Sequence, residues 1–136
     1  TQAATAQLVT SVCTGSLILA AAGLLNGSRA GCYWASGHQL PLFGAEFVEE
    51  RVVIDRNRIT AGGVTSGIDF ASRVIEHMHG RDMGEAVQLA LEYDPQPVAG
   101  GTPASARPQI LAQVRAQMAE RIARREAEIA EIAGSR

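Results

Sequence analysis

The sequence predicts an α/β domain, and three observations lead there. A short run rich in β-branched residues, Val9-Thr10-Ser11-Val12, stops at Cys13 and passes through Thr14-Gly15-Ser16 into a Leu- and Ala-rich stretch that ends at Asn26-Gly27. A second unit of the same kind begins at Arg58-Ile59-Thr60-Ala61, turns through the glycine-rich segment 62–67, and continues where Phe70, Val74, Ile75 and Met78 recur at helical spacing. Apolar residues make up 46% of the 136, which is ample for a packed core.

Taken in order, residues 1–7 read as the polar end of a helix that leads into the first strand. After the first helix, residues 28–34 read as a short second strand entered through the Asn26-Gly27 cap. Residues 35–43, with Pro41, form a short helical or irregular connector. Val52-Val53-Ile54 and Ile59-Thr60-Ala61 flank the polar triplet Asp55-Arg56-Asn57, the pattern of a β-hairpin. The helix after the glycine-rich loop ends at Gly80, and residues 83–93 form another, with Val87, Leu89, Leu91 and Tyr93 as its apolar positions. These parts make a first domain over residues 1–94. Residues 95–108 are rich in Pro, Gly, Ala, Ser and Thr and read as a linker. In residues 109–136, Ile110, Val114, Met118, Ile122, Ile129 and Ile132 recur amid alternating Arg and Glu, which predicts one long amphipathic helix. So long a helix exceeds what a small core can cover, and one face is expected to pack on a partner subunit.

Charge and composition exclude several classes. A net charge of -2 with 12 basic residues and no dense basic patch gives no footprint for nucleic acid. No run reaches the roughly 20 apolar residues that span a bilayer, because Leu17 to Leu25 is followed by Asn26-Gly27 and Arg29. Neither nucleic acid nor membrane is an expected partner. The two cysteines, Cys13 and Cys32, follow no secretory signal and fit reduced thiols in a cytoplasm.

Cys13 is the residue around which the chemistry is expected. A cysteine at the point where a strand hands over to a helix stands clear of the sheet, and the free N–H groups of the helix start favour its thiolate. Thr14, Gly15 and Ser16 are small and leave the following amides open to an incoming group. The alternative is a small buried residue at a strand end, since free cysteine is among the most buried residue types. The glycine-rich turn with Gly63 and Val64 could bring backbone amides against Cys13, although most such turns only let the chain bend. Cys32, Tyr33 and Trp34, ending the second strand, are candidates to line the same crevice. Asp69 reads first as a helix-start carboxylate. His77 and His79 read as solvated residues at a helix end, and a Cys13–His38 dyad has no spacing that fixes it. No metal-ligand spacing is found, and neither a metal nor another cofactor is expected.

These residues also carry a resemblance. Ser11 through Ser16, Ala22 through Gly27, Arg29-Ala30 with Trp34, Glu50-Arg51-Val52-Val53, and Thr60 through Asp69-Phe70-Ala71 resemble the ThiJ/PfpI superfamily, and within it the isocyanide hydratase family. The likeness extends through Gln88-Leu89, Leu91-Glu92-Tyr93 and Arg124-Arg125-Glu126. The resemblance implies a flavodoxin-like, class I glutamine-amidotransferase-like three-layer sandwich, of which this chain is the C-terminal part, and a dimer. It implies a cysteine-dependent lyase that hydrates a small electrophilic isocyanide to an N-substituted formamide. Cys13 would be the nucleophile, Thr14 its neighbour at the helix start, and Gly63-Val64 the backbone facing the sulfur.

Two departures stand out. Relatives place a His before the Trp of the second strand, where this chain has Tyr33. Relatives also carry an N-terminal half with an acidic residue that looks like the water activator, so a companion chain is expected to supply that half and the general base. The first-ranked alternatives are another cysteine-dependent enzyme of the superfamily, such as a hydrolase, glyoxalase or cyclase, and the ligand-sensing domain of a transcription regulator.

Overall fold

The computed structural model describes residues 2–135, which divide after Tyr93 into two compact units. In the first unit the elements run β1 (Val9–Val12), α1 (Gly15–Ala21), β2 (Arg29–Ala30), a 3-10 helix (Gly37–Phe43), β3 (Glu46–Phe47), β4 (Val52–Asp55), β5 (Arg58–Ala61), α2 (Ser66–His79) and α3 (Arg81–Ala90). A 3-10 turn at Gln2–Ala4 precedes them in place of the expected helix end. The main sheet has the order β1-β5-β4, with β1 parallel and β4 antiparallel to β5, and β2 pairs β3 in a second, two-stranded parallel sheet.

Register explains the layering. Ser11 lies beside Thr60 and Thr60 opposite Val53, so these three side chains share one face of the main sheet. On that face α1 brings Ser16 to Ser11 at 2.7 Å, and the backbone at Gly31 rests on Thr60 and Val53. Val12, Ala61 and Val52 share the opposite face, and there the start of α2 reaches Val12 at Gly67. Helices on both faces of a central sheet give the α/β sandwich expected. Leu25, Leu40, Val53 and Ile59 are its largest fully buried aliphatic side chains, each contributing about 1.5–3 kcal/mol relative to exposure.

The two strand–loop–helix units and the hairpin are present as expected, the hairpin closing through Arg56 and Asn57. Its tip is tied to the segment after α1: the Arg56 guanidinium donates to the Gly27 carbonyl at 2.9 Å and to Ser28 Oγ at 2.8 Å, and Arg58 Nε donates to the Leu24 carbonyl at 3.0 Å. α2 ends at Gly80, as predicted, where φ is 88°.

Other boundaries differ. The regular part of α1 stops at Ala21, well before Asn26-Gly27, because Gly23 takes φ 76° and closes a Schellman motif. In that motif the Gly23 N–H donates to Ala20 and the Leu24 N–H to Leu19, both at 2.9 Å. The second strand covers only Arg29–Ala30 of the expected 28–34, because the polar backbone groups of Gly31 bond to side chains instead of a neighbouring strand. α3 starts at Arg81 and ends at Ala90, leaving Leu91 and Tyr93 beyond it. The short strand β3 had no counterpart in the sequence pattern.

The second unit holds an irregular stretch and α4 (Pro108–Gly134). Thr102 and Ser105 bond each other reciprocally within the irregular stretch, their hydroxyls 2.7 Å apart. Pro108 opens α4, where its missing N–H costs nothing, and the helix is 27 residues long. Among the described residues no helix is long and apolar enough to cross a membrane.

Candidate functional site

The strand-to-helix turn after β1 is the most strained point of the first unit that carries a nucleophilic side chain. Cys13 has φ 61°, a left-handed conformation that costs a non-glycine residue about 1–2 kcal/mol. Thr14 follows in a helical conformation and its carbonyl accepts the Leu17 N–H at 3.0 Å, so α1 begins at once. A Cβ on Gly15 would sit 3.4 Å from the Ser11 Cβ, and a glycine there lets the helix start close over the strand. The turn thus presents a half-buried thiol at the end of the sheet.

The backbone of Cys13 is fixed from two sides. Its N–H lies 3.1 Å from the Ala61 carbonyl and 2.7 Å from the Gly62 carbonyl, and its own carbonyl accepts the Tyr33 N–H at 3.3 Å. These bonds gather the end of β5, the glycine-rich loop and the segment after β2 around one residue. The Tyr33 ring closes over the loop: a Cβ on Gly63 would lie 3.5 Å from it. Trp34 packs beside Tyr33, ring centroids 5.5 Å apart.

The glycine-rich loop is itself held by a clasp that sequence reading did not find. The Arg51 carbonyl accepts the Gly62 N–H at 3.1 Å, while the Arg51 guanidinium donates to the Thr65 carbonyl at 3.0 Å and to the Asp69 carboxylate. Tyr93 Oη donates to the same carboxylate at 3.0 Å. Burial works against the Arg51 charge, but the bonds and charges of Asp69 and Tyr93 outweigh it and leave the guanidinium more firmly protonated. Arg51 therefore spans the loop from its first residue to the first turn of α2. Asp69 is a helix-start carboxylate, as read, and it is committed to this clasp.

Of the residues singled out by sequence, Cys13, Thr14, Gly63 and Tyr33 come together at the turn. Val64 follows Gly63 and is 80% exposed, its carbonyl accepting the Gly67 N–H at 3.1 Å where the loop runs into α2. Cys32 is buried, 4% exposed, and it faces the interior more than any crevice. Its carbonyl lies beneath Gly62. His38, His77 and His79 are all exposed, the last two at the end of α2. Among the described residues no cluster of three His, Cys, Asp or Glu side chains could hold a metal ion. A groove of about 320 Å³ between α2 and α3 is lined by the ion pairs Arg73–Glu76 and Arg81–Glu85, among others, and no residue of the Cys13 turn borders it.

Comparison with known proteins gives the family and the fold. The DJ-1/PfpI family profile matches residues 1–77. Isonitrile hydratase of Pseudomonas putida is 49% identical over 119 residues, 87% of this chain and 52% of that protein. The HTH-type transcriptional regulator GbdR of Pseudomonas aeruginosa is 35% identical over 85 residues, 61% of this chain and 23% of that protein. A solved ThiJ/PfpI family protein from Pseudomonas syringae superposes with a TM-score of 0.87 at 40% identity, covering 97% of this chain and 53% of that one. The chain thus spans about half the length of the hydratase and of the solved structure. That likeness accords with the α/β flavodoxin-like fold expected from the sequence.

Proposed function

We propose, from the premise that this chain belongs to the DJ-1/PfpI family, that it is the nucleophile-bearing part of an isocyanide hydratase. The observation that carries the reading is Cys13 itself: a strained, half-buried thiol at a strand-to-helix turn, with the glycine-rich loop and Tyr33 drawn around it. Strain of this kind persists only where surrounding structure enforces it, and it concentrates at functional sites. The 49% identity to an isonitrile hydratase supports the choice of substrate.

The chemistry suits a soft nucleophile. The Cys13 thiolate adds to the terminal carbon of R–NC, that carbon takes up a proton, and a thioimidate, R–N=CH–S–Cys, results. Water adds across the C=N bond, with its proton passing to nitrogen. The tetrahedral adduct, R–NH–CH(OH)–S–Cys, then gives up its hydroxyl proton and expels the thiolate, yielding R–NH–CHO and regenerating Cys13, so that the proton taken up in the first step is returned. The amides of Gly63 and Val64 and the helix start at Thr14 would stabilise charge that develops at the reacting carbon and nitrogen.

Activation of the water falls to a group outside this set. A companion polypeptide segment, supplying the general base, would pair with β1, whose far edge no described strand covers. In a parallel strand alternate N–H groups face alternate neighbours. The Val9 and Cys13 N–H groups bond toward β5 and its flanking turns, which turns those of Thr10 and Val12 toward that free edge. The chain's coverage of 52% of the hydratase is consistent with such a segment. A dimer formed through the apolar face of α4, where Ile110 and Ile132 are exposed, belongs to the same proposal, as does a cytoplasmic location with reduced thiols.

A ligand-sensing role is the second reading, favoured by the similarity to GbdR. The match to that regulator covers 61% of the chain and the hydratase match 87%, which supports the enzyme. Formamide production from an alkyl isocyanide, followed with the whole protein and with Cys13→Ala and Cys13→Ser, tests the reading. Turnover is expected to vanish in both variants, and unchanged turnover in either removes Cys13 from the reaction. A parallel assay with a 2-oxoaldehyde separates hydratase from glyoxalase chemistry.

A further inference from the structure

We propose that a buried relay of three hydroxyls, Ser11, Ser16 and Thr60, holds segment 31–33 against the turn and so positions the Cys13 thiol, a role that rests on the functional reading above. Ser16 Oγ donates to the Gly31 carbonyl at 2.6 Å. Its single proton being used there, the 2.7 Å contact between Ser11 Oγ and Ser16 Oγ has Ser11 as donor. On the other side of the same residue, the Gly31 N–H donates to Thr60 Oγ1 at 2.8 Å. Both polar backbone groups of Gly31 are therefore gripped by side chains, one from α1 and one from β5.

The grip is in the interior. Ser16 and Thr60 have no exposed surface and Ser11 is 9% exposed, so each bond replaces one that water would otherwise make. A Cβ on Gly31 would lie 3.4 Å from Ala61, Thr60 and Val53 atoms, so the backbone there already touches the sheet. Two residues later the Tyr33 N–H meets the Cys13 carbonyl, and the Tyr33 ring covers Gly63. The height of Gly31 over β5, set by the relay, is thus passed to the residue that holds the strained cysteine and to the ring above the loop. Ser11 and Ser16 bracket Cys13 in sequence, so the relay also ties the strand before the turn to the helix after it.

The test compares Thr60→Val, which keeps shape and loses the hydroxyl, with Thr60→Ser, which keeps the hydroxyl. It is run on the whole protein with two readouts: the rate of Cys13 alkylation by iodoacetamide, and kcat and KM for an alkyl isocyanide. Buried Cys32 does not compete for the reagent. Thr60→Val is expected to slow alkylation and lower kcat about ten-fold with KM within about two-fold, while Thr60→Ser stays within about two-fold of wild type. A folded Thr60→Val with both rates unchanged overturns the proposal, as does an equal loss in Thr60→Ser. If Thr60→Val does not fold, Ser11→Ala at the outer end of the relay decides, with about a three-fold slowing expected and unchanged rates overturning it. Alkylation needs no isocyanide, so a protein that hydrates none defeats the functional reading while this measurement still decides the positioning.

Discussion

Replacing Cys13 by glycine should leave the protein more stable than replacing it by alanine, although glycine ordinarily weakens a fold. At φ 61° an alanine retains the left-handed penalty of about 1–2 kcal/mol. Glycine escapes that penalty but orders a more flexible unfolded chain, at a cost of about 0.4–1 kcal/mol. The difference favours Cys13→Gly by about 0.5–1 kcal/mol. With a urea dependence of about 2 kcal/mol per molar, the midpoints should differ by about 0.3–0.5 M. Trp34 is the only tryptophan, and its ring lies 5.5 Å from that of Tyr33 beside the turn, so its fluorescence reports unfolding of this region. Thr14, one residue on at φ -75°, supplies the control, since there glycine should fall below alanine by about 0.5–1 kcal/mol. A Cys13→Gly protein equal to or less stable than Cys13→Ala would show that the turn stores no such strain, and the argument from strain to function would fail.

Gly37→Ala should destabilise the protein by about 1–3 kcal/mol, because the added Cβ overlaps the Phe47 ring and forces it off the 3-10 helix; combining it with Phe47→Leu should recover part of the loss in chemical denaturation, and strict additivity would refute the contact. Asp55 should support the fold above its unfolded titration range and cease to do so as pH falls through its lower folded value. The Arg56 side chain first, then the Arg29 backbone N–H, hold its carboxyl below the ordinary value of 3.8. An acid-unfolding curve for Asp55→Asn should therefore show less loss below that value than wild type, and superposable curves would count against the link.

Much of the first unit was legible because its signals are local. A β-branched run ending at a small-residue turn, and apolar residues at helical spacing after a glycine-rich one, need no partner to be recognised, and both units stand where periodicity puts them. The end of α1 is not legible in the sequence because Gly23 and Gly27 are both left-handed stops in one stretch, and only the Schellman bonds at Gly23 say which one ends the regular helix. β3 is two residues long, too short for alternation to show. The clasp of Arg51, Asp69 and Tyr93 joins positions 18 and 24 residues apart, so no window along the chain contains it.

The hydroxyl relay and the left-handed cysteine share a further reason for being hidden: each is a local violation that tertiary structure repairs. Ser11, Ser16 and Thr60 stand where patterning alone would ask for apolar residues, and read singly they weaken the core they belong to. Together with Gly31 they are satisfied, and the strand β2 ends early as the consequence. Two non-glycine residues with left-handed backbone, Arg56 and Cys13, make the same point from the other side. At Arg56 the cost is offset by the side chain, which bonds Gly27, Ser28 and Asp55 and which glycine would lack. Cys13 carries no comparable set of side-chain bonds among the described residues, yet it keeps a conformation that glycine would adopt freely. What glycine would lack at that position is the sulfur, and a turn that retains strain to keep a half-buried sulfur is best accounted for by what the sulfur does.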